Sequence, residues 1–272
     1  MQTPYHGSPH QNDTLTWQHR LALLPFWIVP MVGLLLIFVA KFGFEQFYAD
    51  ASVTISQTVG FSPNRLLAAV AGAIIGLNLT ACHLLVFRYN RFHLEQLHGN
   101  RARVPGWLPL ANRALLVCVV WASTAISLTL IFPSNDSPAL HEFLSYNLFI
   151  FCTATTVLDG HVAGRWRLVE TTNRTQAPWR QGTRLWMFVL RRGIASTLVA
   201  LSLSYLVLFL GREQGWLADN RQLTQLYVLT EYAIILSYYL YVFAYYFEFR
   251  AFCLTAAGRY FPRFEAHHSI TS

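Results

Sequence analysis

The fold class this sequence predicts is all-α: a polytopic integral membrane protein with six transmembrane helices and both termini in the cytosol. Three observations predict it. Of the 272 residues, 54% are hydrophobic and only 12% charged, well below the roughly 25% charged residues of a soluble domain. The apolar residues gather into long runs bounded by charges, as segments that must cross a hydrocarbon layer about 30 Å thick require. The net charge of +7 is almost wholly arginine, Lys41 being the only lysine, and the arginines crowd into alternate loops. Such alternation reports orientation, with the basic loops cytosolic. The excess is therefore read as topology, with no nucleic-acid partner.

Residues 1–20 are polar and are expected to form a cytosolic segment. They do not resemble a cleavable signal, because the apolar run that follows is too long and no small-residue cleavage site closes it. Residues 21–40, uncharged between Arg20 and Lys41, form the first span, with kinks expected at Pro25 and Pro30. Residues 41–64 are expected to be a loop. The second span, 66–87, carries Gly72 and Gly76, four apart and suited to close helix contact. After a basic loop (88–106), residues 114–132 make the third span.

The fourth span opens on the stretch 135–142. Ser137-Pro138 is a helix-start signal, serine as cap and proline at the first helical position. His141 and Glu142 follow, ahead of the uncharged run 143–158. That run is short of the roughly 20 residues a bilayer needs, so the two ionisable groups fall at the hydrocarbon boundary. The longest basic loop, 159–184, leads to the fifth span at 193–211. The sixth, 222–247, is interrupted only by Glu231 and is rich in tyrosine. The six-helix domain thus covers 21–250, with 251–272 as a cytosolic tail. Cys253, just past the last span, is a candidate for palmitoylation.

Ionisable residues inside a membrane point by default to function. Eighteen residues separate His141 from Asp159, and 17 separate Glu231 from Glu248. At 1.5 Å per residue this puts His141 and Glu231 within about 2 Å of one depth. Arg65, 23 residues before Arg88, lies about 8 Å further toward the lumen, where its long stem can bend back. Neighbours on a helix diverge by about 100°, so His141 and Glu142 are not expected to face one small site together. Glu231 is the better partner for His141. Ser145 lies one turn below His141, and Tyr227, Glu231, Tyr238, Tyr241 and Tyr245 form one polar-aromatic stripe. The blander reading has His141 and Glu142 capping a helix beside headgroup water, and Glu231 neutral within a tyrosine-rich packing face. No nucleotide loop, serine elbow or metal-ligand spacing appears, so neither metal nor cofactor is expected.

Pro63-Asn64-Arg65 before the second span, His141-Glu142 opening the fourth and Glu231-Tyr232 in the sixth, taken in that order and spacing, resemble the post-GPI-attachment-to-proteins factor two family. That family is similar to the damage-regulated autophagy modulators and to the N-terminal half of the yeast cell-wall protein Cwh, within the Frag/DRAM/Sfk superfamily. The likeness covers roughly residues 20–250. It implies a multi-pass protein of the Golgi or endoplasmic reticulum membrane, acting in reacylation of the lyso-GPI lipid on GPI-anchored proteins, with an acyl donor lipid or acyl-CoA as second substrate. On that reading His141, Glu231 and Glu142 are the catalytic candidates, and Arg65, Ser145, Tyr227 and Tyr238 the substrate-binding ones. Two other classes stay open: a non-catalytic lipid- or sterol-organising scaffold, and a small transporter using Asn147, Thr153, Thr155 and Thr156.

Overall fold

A computed structural model describes residues 15, 17–45, 54–60, 64–99, 105–134, 136–172, 178–216 and 220–253. The N-terminal segment 1–14, Pro63, Asn135, Asn173 and the tail 254–272 lie outside the described residues. Among those described, all regular structure is helical: α1 (Trp17–Leu23), α2 (Pro25–Glu45), α3 (Ile55–Gly60), α4 (Arg65–Gly99), α5 (Trp107–Ile131), α6 (Pro138–Thr172), α7 (Pro178–Glu213) and α8 (Arg221–Cys253).

Five segments are long and apolar enough to cross a membrane: Trp17–Phe42, Arg65–Glu95, Trp107–Ile131, Trp186–Arg212 and Arg221–Cys253. α6 reaches 35 residues, but His141, Glu142 and Asp159 bracket its short uncharged run. It is the most polar of the long helices at its centre, and it forms a wall of both cavities described below.

Proline does more to the first span than bend it. Leu24 sits between α1 and α2, its N–H turned back to the Leu21 carbonyl (3.2 Å), and Pro25 opens α2. Pro30 lies inside α2. Several helices also overrun the apolar segments. α4 continues to Gly99 and α7 begins at Pro178, so arginines expected in loops stand on rigid helix.

The six long helices form a ring in chain order. α2 packs on α4, α4 on α5, α5 on α6, α6 on α7 and α7 on α8, and α2 closes the circuit against α8. Where α4 meets α5 the glycine pair acts as expected: the Ser127 hydroxyl donates to the Gly72 carbonyl (3.0 Å). A Cβ on Gly76 would lie 2.0 Å from Ser127 Oγ and 2.8 Å from the Ser123 carbonyl oxygen. The first of these can rotate away; the backbone oxygen cannot. Gly76→Leu should therefore cost about 1–3 kcal/mol by overpacking, read as a lower melting temperature of the detergent-purified protein.

α6 and α7 form the thinnest seam in the ring, and α7 is its outermost member. Only 17% of the α7 apolar segment is buried, against 33–44% in the other four. Leu203, Leu206, Val207 and Leu210 point outward, as residues facing lipid would. Three of the four polar residues named for α6 are tied across helices or along their own, while the buried Thr155 hydroxyl has no hydrogen-bond partner among the described residues. Asn147 accepts from Trp121 Nε1 (3.1 Å), Thr153 pairs with Ser202 (2.8 Å) and Thr156 donates to the Thr153 carbonyl (2.9 Å).

Candidate functional site

A cavity of about 520 Å³ opens at the end of the ring where α6 begins, enclosed by α6, α7, α8 and α3. α6 starts at Pro138, as its Ser-Pro signal predicts, and the His141 N–H donates to the Ser137 carbonyl (2.9 Å). Pro138, His141, Glu142, Ser145 and Phe149 all line the cavity. These positions recur at three and four residues, the pattern of a helix stripe about 100° wide. His141 and Glu142 occupy its two edges. The expectation that they cannot share a site is corrected on this point: a space this size accommodates both.

Across the cavity, α8 contributes Thr224, Tyr227, Val228 and Glu231. The depth count therefore brings His141 and Glu231 to one cavity, but not into one hydrogen bond. His141 Nδ1 lies 2.8 Å from the Phe132 carbonyl oxygen. A carbonyl only accepts, so Nδ1 is the donor, and in the neutral ring the lone pair then belongs to Nε2. Nε2 is buried and has no hydrogen-bond partner among the described residues. The Glu231 carboxylate is engaged elsewhere: it accepts the Ile55 N–H (3.2 Å) and the Ser56 hydroxyl (3.2 Å). Part of the segment expected to be loop thus folds into α3, whose first turn rests on Glu231. Phe132, not Glu231, orients His141.

The other candidates divide. Ser145 and Tyr227 line the cavity. The Tyr227 hydroxyl pairs with that of Tyr205 (2.8 Å), the two rings stacked at 4.9 Å. Tyr238, seven residues beyond Glu231 and so about 10 Å deeper, is buried away from the cavity and stacks on His83 with ring centres 6.3 Å apart. Arg65 is not on the cavity wall. It forms an exposed ion pair with Asp136, tying the start of α4 to the α5–α6 connection. Asn64 is buried and donates to the carbonyls of Ala40 (3.0 Å) and Thr58 (2.9 Å), which holds the first connection in place. Cys253 is buried, so its thiol is not presented for palmitoylation.

The cation on the cavity wall is Arg212, in the last turn of α7, with its guanidinium 6.0 Å from the Phe209 ring centre. The fifth span expected from the sequence, 193–211, stops one residue short of Arg212. The missed signal is its spacing: Tyr205, Phe209 and Arg212 recur at four and three, one stripe of α7, and all three line the cavity.

A buried ion cluster stands at the other end of α6. Arg191 Nη1 reaches Asp159 (2.9 Å) while its Nη2 reaches Glu248 (2.8 Å), and Arg167 pairs with Glu248 from the other side. Tyr241 donates to Asp159, as does Asn90 (3.3 Å), and Tyr89 donates to Glu248 (3.1 Å). The Arg191 guanidinium lies 3.8 Å from the Tyr245 ring centre. Paired and ringed by donors, these charges can remain buried. Asp159 and Glu248, the two charges from which the depths of His141 and Glu231 are counted, are thus held at one level by one arginine.

The sequence profile of the Frag1/DRAM/Sfk1/Cwh43P N-terminal domain matches residues 10–252. The chain belongs to that family. With five helices apolar enough to cross a bilayer, membership marks a multi-pass membrane protein. No curated protein and no solved structure matches.

Proposed function

We propose that this family member acts in remodelling the lipid of GPI anchors, transferring an acyl chain to the lyso-GPI of GPI-anchored proteins in the Golgi or endoplasmic reticulum membrane. The observation that carries the reading is His141, which lines the cavity: its Nδ1 proton is held by the Phe132 carbonyl, and its buried Nε2 has no hydrogen-bond partner among the described residues. That is the state of a general base awaiting a hydroxyl. Nε2 takes the proton of the free glycerol hydroxyl as its oxygen bonds to the acyl carbonyl carbon of the donor. The carbonyl-to-leaving-group bond then breaks, and the proton passes to the departing thiolate or alkoxide. Arg212 suits the anchor phosphate, because a guanidinium forks onto two phosphate oxygens. Tyr146, Phe149 and Phe209 supply an apolar wall for the chains. Glu142 and Glu231 line the same cavity without being bonded to His141.

The orientation belongs to the same proposal: six spans, with α6 crossing as the fourth, both termini cytosolic and the His141 cavity at the luminal face. A glycosylation acceptor inserted with spacers beside Asn135 should be modified, whereas the native Asn173-Arg174-Thr175 sequon should remain bare. Glycan on Asn173 would reverse the orientation. The activity itself is tested with purified protein, lyso-GPI and an acyl donor, either acyl-CoA or a diacyl phospholipid. Transfer above a heat-inactivated control is expected, and its absence with both donors refutes the catalytic reading.

A further inference from the structure

At the opposite end of α6 a second cavity, of about 640 Å³, opens along the α6–α7 seam. Arg165 and Arg167 from α6 line it together with Arg191 and Arg192 from α7. Asp159 and Glu248 are engaged with Arg167 and Arg191. Arg165 and Arg192, exposed on the rim, have no carboxylate partner among the described residues. The cavity therefore carries surplus positive charge at its mouth. Its inner wall is different in kind: Val157, Phe188, Ala195 and Val199 are apolar. The latter three lie on α7, the helix whose outer face is exposed and apolar.

We infer that this seam is a binding site for an anionic phospholipid, with the headgroup phosphate between Arg165 and Arg192 and an acyl chain along Val157, Ala195 and Val199. The argument rests on the pairing of features. A site for free phosphate needs donors alone, and a site for a hydrocarbon needs no cations. Paired guanidiniums above an apolar wall, on the helix that faces the bilayer, fit an amphiphile carrying a phosphate. Paired as they are with Asp159 and Glu248, Arg167 and Arg191 give the site a rigid floor whose own charge is already balanced. At 1.5 Å per residue the floor lies about 27 Å along α6 from His141, so the site is separate from the first cavity and does not depend on the function proposed for it.

The test uses the full chain purified in a neutral detergent, exposed separately to phosphatidic acid, phosphatidylcholine and inorganic phosphate, with bound lipid counted by native mass spectrometry and melting temperature recorded. Phosphatidic acid should be retained and should raise the melting temperature. Phosphatidylcholine and inorganic phosphate should do neither. The double variant Arg165→Gln, Arg192→Gln should lose at least about tenfold in retained phosphatidic acid, since it removes both charge-assisted contacts to the phosphate. Both side chains are exposed, so the unliganded melting temperature should stay at the wild-type value. Should that variant not fold, a salt titration of the wild type decides, because contacts at an exposed rim are screened and retention should fall as salt rises. Equal retention of both lipids, equal stabilisation by inorganic phosphate, or retention that ignores both the variant and salt would overturn the assignment.

Discussion

Replacing His141 with alanine should lower acyl transfer to lyso-GPI by about 10²–10⁴-fold, the usual loss when a positioned general base is removed, while the protein still folds and reaches its membrane. The hydrogen bonds of the cavity make the pattern across variants sharper than that single figure. His141→Gln keeps a polar side chain at the position but has no basic nitrogen, so it should be nearly as inactive as alanine. Glu231 is committed to the Ile55 N–H and the Ser56 hydroxyl. Glu231→Gln should therefore act mainly by loosening α3: a lower melting temperature and a raised KM, with a much smaller loss in kcat than at His141. Glu142→Gln, at the far edge of the same stripe, should also leave most of kcat. Arg212→Gln should raise KM for lyso-GPI, and Arg212→Lys, which keeps the charge but loses the planar fork, should recover only part of it. Arg65→Gln should leave KM unchanged, because Arg65 pairs with Asp136 outside the cavity. A non-catalytic scaffold predicts otherwise: losses that follow protein abundance, with His141→Gln silent. Wild-type lipid chains on anchors released from cells carrying only His141→Ala, read by mass spectrometry, would refute the catalytic assignment.

What was legible in the sequence, and what was not, divides along a physical line. The helices and the shared level of His141 and Glu231 follow from periodicity, charge boundaries and helix rise, all of which act within one segment. The depth count works because the two reference charges, Asp159 and Glu248, are held by the same guanidinium. The residues that complete the cavity were hidden because they depend on contacts distant in sequence. α3 is only six residues long and carries no periodic signal. It has a place because Ile55 meets Glu231, 176 positions away. Arg191 and Arg212 read as charges outside the fifth span because its apolar run stops between them, whereas α7 extends past both. The orientation of His141 was also invisible, since its partner is a backbone carbonyl and carbonyls have no sequence signature.

Removing Arg191 should be the most damaging single change in the chain. Its guanidinium is buried and is shared between Asp159 and Glu248. Arg191→Met keeps much of the stem but leaves Asp159 with only its hydrogen bonds and Glu248 with Arg167. Breaking a buried pair by deleting one partner costs about 3–5 kcal/mol, because the charge left behind is uncompensated, a large part of the roughly 5–15 kcal/mol that holds a typical domain together. The expected result is a sharp fall in detergent-extracted folded protein and in melting temperature. Arg191→Lys should rescue only partly, because one ammonium cannot fork between two carboxylates. Neutralising the orphaned partner tests the cause. In Asp159→Asn and Arg191→Met combined, no carboxylate remains uncompensated, because Glu248 keeps Arg167 as its partner. Residues in one network couple non-additively, so the double variant should be more stable than Arg191→Met alone, despite a further substitution. If the losses simply add, then the cluster is held by side-chain packing, and charge compensation is not what fixes α6, α7 and α8 at this level.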